Sequence, residues 1–123
     1  MKSLDINRIM KISVIMLLLD AFWLSIITKP FLKMTKDIQK SNVKIRKYSV
    51  VLTYMSMILL YTTVFPDKQL DLKKAFLVGL SCYAVFEFTN LSIFTNYKLD
   101  IAIMDTVWGG VLFALVNFIE NYK

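Results

Sequence analysis

Apolar residues run through the chain in four long blocks, separated by short polar stretches rich in lysine. The first block, "ISVIMLLLDAFWLSIIT", covers 12–28 and is followed by Lys29 and Pro30. A residue ahead of proline resists helical geometry, so the span is expected to end there. The second block, "YSVVLTYMSMILLYTTVF", covers 48–65 and stops at Pro66. The third and fourth cover 75–97 and 99–119, and a join through "NYKLD" makes them a tight antiparallel hairpin. Each block approaches the about 20 apolar residues that a membrane-spanning helix needs. None alternates with the period of a strand, which excludes an outer-membrane barrel. The pattern predicts an all-α, integral membrane four-helix bundle, with residues 1–123 as a single transmembrane domain.

Composition sharpens that picture. The 123 residues are 57% hydrophobic with 14% aromatic, and the mean hydropathy is +0.57. A soluble domain this small leaves much of its surface wet and cannot hide four such blocks. A multi-pass membrane protein is expected, with the lipid bilayer as its partner. The net charge of +6 comes from basic residues lying between the apolar blocks, where positive charge belongs at a membrane surface. Nucleic-acid binding needs a basic face on a soluble fold and is not expected. A single cysteine and no histidine exclude an intrachain disulfide and zinc sites of the Cys/His kind; no cofactor is expected. Lys2, Arg8 and Lys11 ahead of the first block imitate a signal peptide. Asp20 interrupts the apolar core, however, and Trp23 stands where small residues would mark cleavage, so the block reads as a retained span. Seven basic residues fall on the face shared by the N-terminus and the second loop, and eight on the other, here called face B. That near-balance leaves the orientation open.

The first loop, 29–47, carries seven of those eight. Phe31, Met34 and Ile38 recur at helical spacing, with Lys33, Lys36, Asp37 and Lys40 between them. Together with Lys44, Arg46 and Lys47 they form either a basic amphipathic segment lying against anionic lipid or a solvated linker.

The acids inside the blocks raise the functional question. Asp20, Glu87 and Asp105 lie within them, with Asn90 and Asn117. A charged side chain at mid-membrane costs about 2.5–3.5 kcal/mol on insertion scales. Counted from Lys29 or Lys98 at about 1.5 Å per residue, Asp20 lies roughly 14 Å from face B, Glu87 roughly 16 Å, Asn90 roughly 12 Å and Asp105 roughly 10 Å. Three helices thus deliver polar groups to a layer about one helical turn thick. Asp20 shares a helix face with Trp23, and Asp105 with Trp108 and Gly109; Glu87 and Asn90 also share one, with Thr89 beside them. The pattern D-x-x-W therefore occurs twice, in "DAFW" and "DTVW". An indole N–H only donates, so each aspartate is expected to keep its own tryptophan as an orienting donor. The two copies are a weak sign of an inverted repeat. The second block supplies hydroxyls, Thr53, Tyr54, Ser56, Tyr61, Thr62 and Thr63, some of which can complete hydrogen bonds in the layer. Gly79, Gly109, Gly110 and Ala114 allow close helix approach.

"LLLDAFWL", "VFEFTNLSIF" and "IMDTVWGGVL" together resemble the signature blocks of a family of small predicted membrane proteins, domain of unknown function 2177. That family pairs L-D-x-x-W-L in its first span with Y-D/E-x-T-N-L-A and a closing D-x-x-W-G-x-x-L. The resemblance runs from about Leu17 to Leu115. It carries over Asp20, Trp23, Glu87, Thr89, Asn90, Leu91, Asp105, Trp108 and Gly109. The chain departs from the pattern at Glu87, where aspartate is frequent, and at Ser92, where the family has alanine. The resemblance implies a four-span helical membrane protein and no established activity.

Three readings of the acids remain. In the favoured one they bind or pass a proton, a small cation or a small polar solute, with Asp20 and Glu87 central and Asp105 outermost. Asn90 and Thr89 orient the ligand, and Trp23 and Trp108 support the carboxylates. Four helices enclose little lumen, so conduction would call for a homo-oligomer. In the alternative the acids are protonated packing contacts within a polar network that specifies the bundle. A small lipid-modifying enzyme is third: two carboxyls can act as acid and base, yet no catalytic triad, phosphate loop or arginine clamp accompanies them. An all-oxygen Mg²⁺ or Ca²⁺ site from the three carboxylates belongs with that third reading.

Overall fold

Four helices carry the chain: α1 (Ile6–Gln39), α2 (Lys47–Val64), α3 (Leu72–Ile93) and α4 (Leu99–Glu120). The computed structural model describes residues 5–122, and no strand forms among them. Lys2 and Lys123, which enter the charge balance, lie outside the described residues. The fold is an all-α bundle in which α1, α3 and α4 are long and apolar enough to cross a membrane. α2 has the length, but its tyrosines and hydroxyls dilute its hydropathy.

The polarity of the bundle is inside out. Phe22, Leu18, Leu59, Val85 and Ile93 are among the many large apolar side chains that face outward. Asp20, Glu87, Thr106, Asn117 and Glu120 are buried. Water would penalise such an exterior, whereas lipid tails are its natural solvent.

The first helix departs from expectation. α1 does not stop at Lys29 and Pro30; it runs through Pro30 for 34 residues, about 51 Å at 1.5 Å per residue. Proline removes one backbone hydrogen bond and crowds the preceding turn. Packing offsets that cost. Met34 is buried against Tyr97, Ile101 and Ala102, with Phe31, Ile38 and Leu91 alongside. The amphipathic stretch is thus the upper part of α1, with its apolar stripe on the α3–α4 hairpin. Lys33, Lys36 and Lys40 stay exposed on its outer flank, as do Lys44, Arg46 and Lys47 beyond it.

α4 is the buried centre, packing most extensively on α3 and next on α1, while α2 touches α1 only lightly. The α3–α4 crossing rests on two glycines. A Cβ on Gly79 would lie 2.1 Å from the Gly109 carbonyl oxygen, and one on Gly109 would lie 2.7 Å from the Gly79 oxygen. Neither backbone can yield. This contact brings α3 close enough to set Glu87 beside α4.

Toward the end of the bundle opposite face B, Arg8 ties the elements together. Its guanidinium pairs with the fully buried Glu120 and donates to the carbonyl oxygens of Phe65 at 2.8 Å and Pro66 at 3.2 Å. Tyr61 donates to the other Glu120 oxygen at 2.7 Å. Asn117 donates to Gln69 O at 2.8 Å and accepts from Asp71 N at 2.9 Å, which pins the α2–α3 turn to α4. Both carboxylate oxygens of Glu120 therefore have partners, as a buried charge requires.

Two outcomes follow from this packing. Gly79→Val should cost more than the ~1–3 kcal/mol typical of overpacking, because backbone opposes backbone, and should lower the unfolding temperature in detergent more than Gly110→Ala does. Arg8→Met should cost about 3–5 kcal/mol by stranding Glu120. The double change Arg8→Met with Glu120→Leu should recover most of that loss in the same thermal assay.

Candidate functional site: a crossed pair of Asp–Trp motifs

α1 and α4 run antiparallel in strict register. Arg8 meets Glu120, Asp20 meets Trp108 and Trp23 meets Asp105, so each step forward on α1 is matched by an equal step back on α4. The two D-x-x-W motifs consequently exchange partners. Trp108 Nε1 donates to Asp20 Oδ1 at 2.9 Å, and Trp23 Nε1 donates to Asp105 Oδ1 at 3.0 Å. The expectation that each aspartate keeps its own tryptophan is corrected here. An indole three residues along the same helix points the way its aspartate does, out toward the neighbouring helix, and finds the carboxylate there. Between the two bonds the indole rings stack, centroids 5.2 Å apart and planes within 9°.

The aspartates differ in their remaining contacts. Asp20 is buried, and its second oxygen accepts from the Tyr54 hydroxyl of α2. Each of its oxygens thus has a donor. Asp105 instead faces Glu87 of α3, carboxyl to carboxyl. Glu87 is fully buried, and Tyr97 donates to its Oε1. Its Oε2 has no hydrogen-bond donor; nor has Thr106 Oγ1 a partner, one residue beyond Asp105. Asn90, half-buried, meets the same Tyr97 hydroxyl. A chain of polar groups therefore threads all four helices: Tyr54, Asp20, Trp108, Trp23, Asp105, Glu87, Tyr97 and Asn90.

Several expected roles shift. Asp105 meets Trp23, one turn nearer Lys29 than Asp20, and Asp20 stands apart across the indole pair. Thr89 is exposed: two residues from Glu87 is about 200° around a helix, nearly the opposite side. Thr53, Ser56 and Thr62 do not reach the layer, because each hydroxyl bonds the carbonyl four residues back in α2. Only Tyr54 delivers. Among the described residues no group of three or more Asp, Glu, Cys or His is placed to hold a metal ion; the indole pair separates Asp20 from the other two acids, and the three-carboxylate site does not form. Tyr54 was among the hydroxyls expected in the layer, and Tyr54, Met57 and Tyr61 recur at heptad spacing, a sign of an inward face; Tyr97 was not legible as a donor. Glu120 was missed because an acid near a span end reads as a surface group.

Trp23→Phe keeps the ring and deletes one donor to a desolvated carboxylate. It should destabilise the bundle by about 1–3 kcal/mol, read as a lower unfolding temperature in detergent. Trp108→Phe should act similarly, and Thr89→Ala should not.

Comparison with known proteins adds the lineage. Neither a curated protein nor a solved structure matches the chain. A family model described as "Predicted membrane protein (DUF2177)" matches residues 6–121, nearly the whole chain and every residue of the crossed motifs. The chain belongs to the DUF2177 family of predicted membrane proteins.

Proposed function

We propose that this is a four-span, proton-binding membrane protein whose Glu87–Asp105 pair takes up and releases one proton on the side of face B. The supporting observation is the carboxyl–carboxyl contact with its unpartnered Glu87 Oε2. Ionised carboxylates only accept hydrogen bonds, so two of them in contact need one proton to bond at all. Donors here are too few for two full charges: Trp23 serves Asp105 and Tyr97 serves Glu87. Tyr97 lies between α3 and α4, with Asn90 beside it, giving the pair a polar flank toward face B. The indoles close the other side, since an indole N–H donates without relaying a proton.

Asp20 favours the packing reading for itself. With a donor on each oxygen it clamps α1, α2 and α4. As the fourth span, α2 covers about 27 Å at 1.5 Å per residue, close to the roughly 30 Å hydrocarbon core. Thr53, Ser56 and Thr62 satisfy their hydroxyls on the helix's own backbone, which lets them stand in lipid. The basic residues Lys33, Lys36, Lys40, Lys44, Arg46 and Lys47 hold this end at an anionic membrane surface.

The test uses the two tryptophans, both in the site. Because Trp23 donates to Asp105, loss of the shared proton changes the charge at its indole. Tryptophan emission of the protein in nanodiscs should titrate with pH. Glu87→Gln should abolish the transition, since its amide supplies a permanent donor, and Asp20→Asn should retain it. A flat wild-type profile, or an unaltered transition in Glu87→Gln, would overturn the reading. Proton uptake by proteoliposomes under an imposed pH gradient, lost in Glu87→Gln, would extend binding to transfer.

A further inference from the structure

A groove of about 770 Å³ opens outward between α2 and α3, and neither acid of the pair lines it. That volume falls within the ~300–1,000 Å³ of small-molecule sites. Its walls are hydrocarbon, from Leu60 and Val64 on α2 and Leu77, Val78 and Val85 on α3. At one end stand Lys73 and Lys74, both exposed, with Asp71. The Asp71 carboxylate is engaged, accepting from Lys74 N as the cap of α3. The Lys74 ammonium lies 5.1 Å from the centre of the Phe65 ring, which holds it beside the end of α2.

We propose that this groove binds an anionic phospholipid, its phosphate on Lys73 and Lys74 and an acyl chain along the α3 wall. Dimensions agree. From Lys73 to Val85 the wall runs roughly 18 Å at 1.5 Å per residue, against the roughly 15 Å of one leaflet in a core about 30 Å thick. Charge agrees as well. The two lysines occupy the first turn of α3, which has no acidic residue; a cation is disfavoured at that pole of the helix dipole, and an anion is favoured. A second copy of the chain is the less suitable occupant. A two-fold contact sets a patch against itself, and groove on groove would press both lysine pairs together.

Cys82, the chain's single cysteine, lines the groove and reports on it directly. In nanodiscs of phosphatidylglycerol, alkylation of Cys82 by a lipophilic maleimide should be about tenfold slower than in phosphatidylcholine. Lys73→Gln with Lys74→Gln should remove the difference, and Lys33→Gln with Lys36→Gln should leave it intact. Ser81→Trp, which fills the groove and keeps both lysines, should eliminate the phosphatidylglycerol adduct seen by native mass spectrometry. Circular dichroism establishes that each variant is folded. Equal alkylation rates in the two lipids would overturn the proposal. So would an effect that follows Lys33 and Lys36 instead, an adduct that survives Ser81→Trp, or a Cys82–Cys82 cross-linked dimer.

Discussion

A carboxylate removed from water needs a donor for each oxygen, and this bundle is organised by how that need is met. An indole suits the task inside a membrane: it gives one N–H and otherwise presents hydrocarbon. By exchanging Asp20 and Asp105 between Trp23 and Trp108, the chain makes one arrangement satisfy two acids and fix two helices. Slipping α1 along α4 by one residue would break both bonds and the ring stack together. The register at the far end, where Arg8 reaches Glu120, follows from the same alignment. α3 then docks on α4 through Gly79 and Gly109, which is what brings Glu87 to Asp105.

The bundle carries two polar layers of opposite character. Around Glu120 cation, phenol and amide are all supplied, and the ion pair is matched on both sides. Around Glu87 the carboxyl oxygens outnumber their donors, and one buried oxygen is left over. Matched charges lock a structure. An unmatched carboxyl pair keeps a place for a proton, and that asymmetry is where chemistry is to be sought in an otherwise apolar molecule.

Much of this could be read from the residues in order. Long apolar blocks with polar joins gave helices α2, α3 and α4 within a few positions, since length and hydropathy decide a span almost alone. That Asp20 and Glu87 turn inward was legible because an acid within a long apolar block has to be shielded from lipid. The continuation of α1 was not. A local rule about Pro30 predicts a stop, and the packing of Met34 that overrides it is formed with residues some sixty positions away. The crossing of the motifs was hidden for a similar reason. Spacing says which face a tryptophan occupies, while its partner depends on which helix lies opposite. Thr89 was placed wrongly through adjacency in the chain, which on a helix means the far side.

The phenols of α2 have a further consequence. Tyr54 and Tyr61 are seven residues apart, two turns on one face, and they reach Asp20 and Glu120 respectively. A helix with such slight backbone contact to its neighbours would ordinarily be free to roll about its long axis. Anchored at two heights, it cannot turn without unfastening both acids. The side that α2 turns outward is therefore chosen by a pair of oxygen atoms, and its azimuth becomes as well defined as one set by interlocking side chains.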